Sequence, residues 1–143
     1  MTDADPYRLE RFVEAQRGVM DGVLAELRAG RKTGHWIWFV FPQLAGLGRS
    51  EMARYYGIGS LDEARAYLAH PVLGARLREC VDLLLAIEGV TAENVLGPVD
   101  AMKVRSSMTL FHRAAPGDPR FRAVLATWYG GMPDPVTDDL LDT

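Results

Sequence analysis

The chain has a single cysteine, Cys80, so no disulfide can close within it and nothing in its cysteine usage points to an oxidising compartment. Its three histidines, His35, His70 and His112, are too widely separated to form a metal site by spacing, so no metal and no cofactor are expected. Long apolar runs are missing too: the longest, Trp36 to Phe41, falls far short of a bilayer span. The opening MTDADPYRLE lacks the cationic and apolar parts of a signal peptide. No membrane contact is expected, and the cytoplasm is the default location. An excess of positive charge is absent as well. A formal charge of −3 argues against a general nucleic-acid binder, which needs a basic surface to meet phosphates. There is no nucleophile elbow and no phosphate-cradling loop ending in lysine.

What is present describes one globular domain. The chain is 143 residues long, 48% hydrophobic and 24% charged, enough to bury a core without metal or disulfide support. Asp5-Pro6 reads as a helix start, and Phe12, Val19, Met20, Val23, Leu24 and Leu27 recur at helical spacing up to Gly30. That predicts one helix of roughly six turns. Arg28, Arg31 and Lys32 near its end read first as a solvated helix C-terminus. Ser50 begins a short helix to about Tyr56, and Ser60-Leu61-Asp62-Glu63 is a capping box opening another to about Ala69. His70-Pro71 interrupts, with His70 as a cap or surface residue. A long helix then carries Leu73, Leu77, Cys80, Val81 and Leu84 on one face, where Cys80 is core filler. Thr91 to Asn94 suggests a brief turn. Helices from Pro98 and from Asp118-Pro119 follow, with His112 on an exposed side, and the tail after Thr137 adds at most one turn. The expected fold is all-α: a compact single domain, residues 1–143, of about six helices.

One stretch does not fit. Gly34 to Gln43 holds two of the chain's three tryptophans and shows no helical period. Its aromatic and β-branched content suggests a strand, yet no partner strand is evident, so an extended buried segment threaded between helices is expected. Alternation would place Trp36, Trp38 and Val40 on one side and His35, Ile37, Phe39 and Phe41 on the other.

Three long motifs carry a resemblance. GRKTGHWIWFVFPQLAGLGRSEMARYY, SLDEARAYLAHPVLGARL and DAMKVRSSMTLF together resemble the bacterial family catalogued as domain of unknown function 1810, from about Arg11 to Trp128. The resemblance implies a standalone, mainly helical protein and supplies no catalytic residues. Members are sometimes labelled calpastatin, a label that a compact aromatic-rich chain does not fit.

Two segments could carry chemistry. In the first, Gly46-Leu47-Gly48 precedes a helix start at Ser50, an arrangement that can present free amides to an anion or merely allow a tight turn. His35, Trp36, Trp38 and Gln43 lie just before it, the tryptophans offering ring faces for a base or sugar. In the second, Asp100, Lys103 and Ser107 share a helix face beside Val104 and Phe111, with Ser106 adjoining. Polar residues abutting an apolar stripe need partners. One reading is an Asp100–Lys103 pair with serines bonded back to carbonyls. The other is a cleft in which Lys103 holds an anion, Ser106 and Ser107 donate, and Asp100 orients Lys103 or acts as a base.

The leading functional expectation is that both segments line one pocket for a small anionic or nucleotide-like ligand. Hydrolysis or transfer at a sugar or phosphate would fall to Asp100 or His35. The alternative is a non-catalytic interaction or homodimerisation module, with the oligomeric state left open; a nucleic-acid contact through Arg28, Arg31 and Lys32 ranks third.

Overall fold

A computed structural model describes residues 4–143. It is all-α, with ten helices among those residues: α1 Glu10–Gln16, α2 Met20–Ala29, α3 Ile37–Val40, α4 Glu51–Tyr55, α5 Leu61–Ala69, α6 Leu73–Ala86, α7 Ala92–Leu96, α8 Pro98–Ala114, α9 Pro119–Trp128 and α10 Pro135–Leu141. None is long and apolar enough to cross a membrane.

The excess over six helices arises where local signals were weak. The first expected helix is two, because Gly18 adopts φ +78° and ends the first run at Arg17. Asp5 does cap a helix start, but one turn late: its carboxylate accepts the Leu9 and Glu10 amides at 2.8 and 3.0 Å, leaving Pro6 to Leu9 in a turn. The aromatic stretch is not extended. Val40 N–H donates to Trp36 O and Phe41 N–H to Ile37 O, closing a single helical turn that Pro42 follows. Trp36, Ile37, Phe39, Val40 and Phe41 are all buried, so this turn has core on every side and no polar face to give it a period. The predicted alternation fails with it, since neighbours rather than alternate residues are buried. A partner for extended chain exists one step later, as a single parallel bridge between Leu44 and Ile58.

Where caps were explicit, the expected elements stand. Ser50, Ser60, Thr91 and Asp118 each accept a backbone amide at the head of their helices. Gly30 closes α2 with φ 71°. His70 is a cap, its Nδ1 accepting from Val72 and Leu73.

Helix α8 is the axis of the domain. It packs against α3, α5, α7, α9 and α10, and every residue from Ser106 to Phe111 is buried. A file of ring contacts crosses this core: Tyr56–Phe12 at 5.7 Å, Phe12–Tyr67 at 5.1 Å, Tyr67–Phe111 at 5.4 Å and Phe111–Phe121 at 5.7 Å. Buried Gln16 ties its amide to Phe39 O and Tyr67 Oη, joining α1 to the aromatic turn. Tyr67 is fully enclosed, and burial raises its phenol above the ordinary range.

Candidate functional site

The two segments singled out in the sequence do meet. Lys32, just past α2, reaches Asp100 Oδ2 at 2.6 Å and Gly34 O at 2.5 Å, with its ammonium 4.9 Å from the Trp36 ring centroid. Lys103 approaches Asp100 Oδ1 at 3.6 Å and sits 4.6 Å from the Trp38 ring centroid. Glu26 fixes the connecting loop, accepting the amides of Thr33 and Gly34 at 2.6 and 2.8 Å and the Trp36 indole at 3.1 Å. Burial pushes the Glu26 carboxyl up, but those donors outweigh it and hold it below its usual value.

This cluster is closed at Lys32, while the partly exposed Lys103 has only the long contact with Asp100 and the Trp38 ring. Lys32 is spent on a carboxylate, a carbonyl and a ring face, and only 6% of its side chain is exposed, so it does not belong to a basic surface with Arg28 and Arg31. Asp100 serves two lysines. Ser106 bonds Met102 O and Asp134 Oδ2, each at 3.2 Å, and Thr109 accepts the Asp134 amide, so both pin the approach to α10. Ser107 is fully buried with its hydroxyl unpartnered, which removes it from any solvent-facing cleft. Ser106, Ser107 and Thr109 lie beside the apolar stripe because this stretch of α8, from Ser106 to Phe111, is buried on every side. His35 is exposed, outside the ion-pair group. His112 is half-buried with an unpartnered Nδ1, not on an exposed side as expected. Gly46 takes φ 98°, and a Cβ on Gly48 would come within 2.6 Å of Ala53 Cβ, so these glycines meet the tight-turn reading. Gln43, Gly48 and Trp38 line a cavity of about 10 Å³ behind Tyr56, room for a single water.

Tyr56 has a second side, and there the molecule opens. A cleft of about 780 Å³ lies between the turn before α1 and the segment carrying α4, with Tyr7, Arg8, Arg54, Tyr55 and Tyr56 among its walls. The segment from Ala45 to Gly57 is a flap whose ends are joined by the Leu44–Ile58 bridge, through Ala45 N–H to Ile58 O and Ile58 N–H to Gln43 O, both 2.8 Å. No residue of α4 is buried. Gly57 is required at the exit, since a Cβ there would meet Ala45 at 2.9 Å.

Arg11 holds the floor. Its Nη1 donates to Tyr7 O at 2.6 Å, and its Nη2 to Gly57 O at 3.0 Å and Glu63 Oε2 at 2.9 Å. The Arg11 and Glu63 side chains are 8% and 9% exposed, so this is a buried pair joining α1, the flap and α5. Glu63 also takes the Gly59 amide with its other oxygen. Arg11 Nε has no partner. Above that floor stands Arg8, the one non-glycine residue with positive φ among those described, at 53°. A left-handed arginine costs about 1–2 kcal/mol. Its guanidinium lies 5.6 Å from the Tyr55 ring centroid, and Tyr55 packs edge-on against Tyr56 at 4.8 Å. Arg8 and Arg54 make no ion pair among the described residues.

Sequence reasoning passed over Arg8, Arg11, Arg54, Tyr55 and Tyr56. The signal available was the doubled tyrosine beside Arg54 on a capped helix too short to have an inward face. Their convergence with Arg8 depends on contacts across more than forty positions, as in the Arg11–Gly57 bond.

An all-α domain with a basic, tyrosine-walled cleft is the class of protein these features define. The chain belongs to the family described as Protein of unknown function (DUF1810), whose model matches residues 6–141. Among solved structures it is similar to the conserved hypothetical protein Rv1873 from Mycobacterium tuberculosis, at 54% identity and a TM-score of 0.96, over 97% of this chain and 99% of that one. No curated protein matches it.

Proposed function

We propose that the protein binds a small anionic, nucleotide-like ligand in the cleft between the α1 turn and the α4 flap, as a cytoplasmic protein. The observation that carries this reading is Arg8, held in a strained backbone conformation on the wall of a cavity of about 780 Å³ and making no ion pair among the described residues. Strain of this kind persists where the surrounding structure imposes it, and it concentrates at binding sites. Arg54 supplies a second cation with no ion pair among the described residues and Tyr55 a ring face, while Arg11, already paired with Glu63, braces the floor. The volume fits the usual range for small-molecule sites, about 300–1,000 Å³. The cleft takes over the anion-binding role that the sequence assigned to Lys103, Ser106 and Ser107. Any hydrolysis or transfer would draw on Glu51, the one carboxylate of the flap helix facing this cavity.

Thermal unfolding against nucleotides, nucleotide sugars, NAD, ADP-ribose and simple anions tests the reading. A ligand at about 100 times its dissociation constant adds ~2.7 kcal/mol, a clear rise in midpoint. The rise should vanish in Arg8→Gly; no rise with any compound sinks the proposal.

A homodimerisation module is the second reading, favoured by exposed Val99 and Met102 on α8 and Met132 and Val136 by α10. Arg105 draws the two groups together by donating to Met132 O at 2.9 Å. A monomer at all concentrations in sedimentation would rule it out.

A further inference from the structure

We infer that the ligand is a nucleoside monophosphate, one phosphate attached to one planar heteroaromatic base. This rests on the cleft being the anion site. Charge capacity sets the phosphate count. Arg8 and Arg54 are the cleft cations without an ion pair among the described residues, Arg11 is neutralised by Glu63 at 2.9 Å, and Glu51 stands on the same wall. The two guanidiniums carry the positive charge that a phosphomonoester near −2 needs, and Glu51 on the same wall works against a more highly charged triphosphate.

The ring requirement comes from Tyr55, which is 51% exposed although it sits against Tyr56 and beneath Arg8. An aromatic ring half in water at the edge of a cavity, beside a guanidinium, can stack with a planar base. The requirement for polar ring edges comes from the phenols. Among the described residues, tyrosine hydroxyls hydrogen-bond at Tyr67 and Tyr129, which leaves those of Tyr7, Tyr55 and Tyr56 for ligand or solvent. Each can donate and accept. A base edge that alternates donors and acceptors uses such hydroxyls, whereas a plain phenyl ring strands them.

Calorimetric titration of the full chain with the four common ribonucleoside monophosphates, the matching nucleosides, inorganic phosphate and ATP tests this, with Tyr55→Leu alongside. The best monophosphate should bind at least about tenfold tighter than its nucleoside or phosphate alone, and ATP no tighter than the monophosphate. Tyr55→Leu should weaken the monophosphate about tenfold, the scale of one base–aromatic stack, and leave phosphate unchanged. No residue of α4 is buried, so the variant should fold, and its circular dichroism checks this. Phosphate binding as tightly as every monophosphate, or ATP binding tenfold tighter, overturns the mononucleotide and leaves an anion cleft standing. Absence of binding by every probe overturns both.

Discussion

Two clusters in this molecule combine cations with aromatic rings, and they differ in what is left over. Around Asp100, Lys32 at 2.6 Å and Lys103 at 3.6 Å share one carboxylate, and each ammonium lies against a tryptophan ring. Around Tyr55, Arg8 and Arg54 have no ion pair among the described residues, and the backbone of Arg8 is strained. The first arrangement uses up its carboxylate within the fold; the second carries backbone strain and leaves donors for something else. Residue type alone does not separate a clamp from a site. What separates them is whether the cations have a carboxylate within reach.

Substitutions should separate the two regions by stability. Asp100→Ala leaves the nearly buried Lys32 ammonium without its carboxylate and should cost on the order of 3 kcal/mol, read from the denaturant midpoint. A loss below about 1 kcal/mol would mean that the clamp is not structural.

Glu26→Gln should cost about 1 kcal/mol at neutral pH through weakened bonds to Thr33, Gly34 and Trp36. Because the folded carboxyl lies below its ordinary value of 4.5, its contribution is complete above that pH and fades as pH falls through the lowered value. Melting curves of the two proteins should therefore converge in acid. A constant gap across pH would assign the effect to packing.

Lys103→Ala should cost only about 0.5 kcal/mol, for one ring contact and a long ion pair. Smallest of all is Arg8→Gly. Relief of about 1–2 kcal/mol of strain is offset by a looser unfolded chain, worth ~0.4–1 kcal/mol, and by the lost contact with Tyr55. Its midpoint should stay within about 0.5 kcal/mol of the parent. A large destabilisation would make Arg8 a structural residue.

Much of the fold was legible because its signals are local. Ser60 capping Glu63 N–H and Gly30 in the left-handed region are each decided by a few neighbouring residues. The misses share a cause, which is that burial on all sides erases periodicity. The α3 turn reads as extended for that reason, and no local pattern announces that Ser106 and Thr109 of α8 fasten Asp134. Gly18 hid inside a regular apolar rhythm that continued on both sides of it. The pairing of Asp100 with Lys103 was readable from i, i+3 spacing, whereas Lys32 as the tighter partner was not. The cleft was the least legible feature, since Tyr7, Gly57 and Glu63 are gathered onto one guanidinium only by the completed fold.

The central claim is that the open cleft, and not the closed clamp, binds the anion. The most direct test is the affinity of the wild-type chain, Arg8→Gly and Lys103→Ala for the best-binding monophosphate, measured by titration. The account predicts at least a tenfold loss in Arg8→Gly, the scale of a charge-assisted hydrogen bond, with Lys103→Ala unchanged. Binding lost in Lys103→Ala and kept in Arg8→Gly would contradict it and return the site to the Trp38–Asp100 cluster.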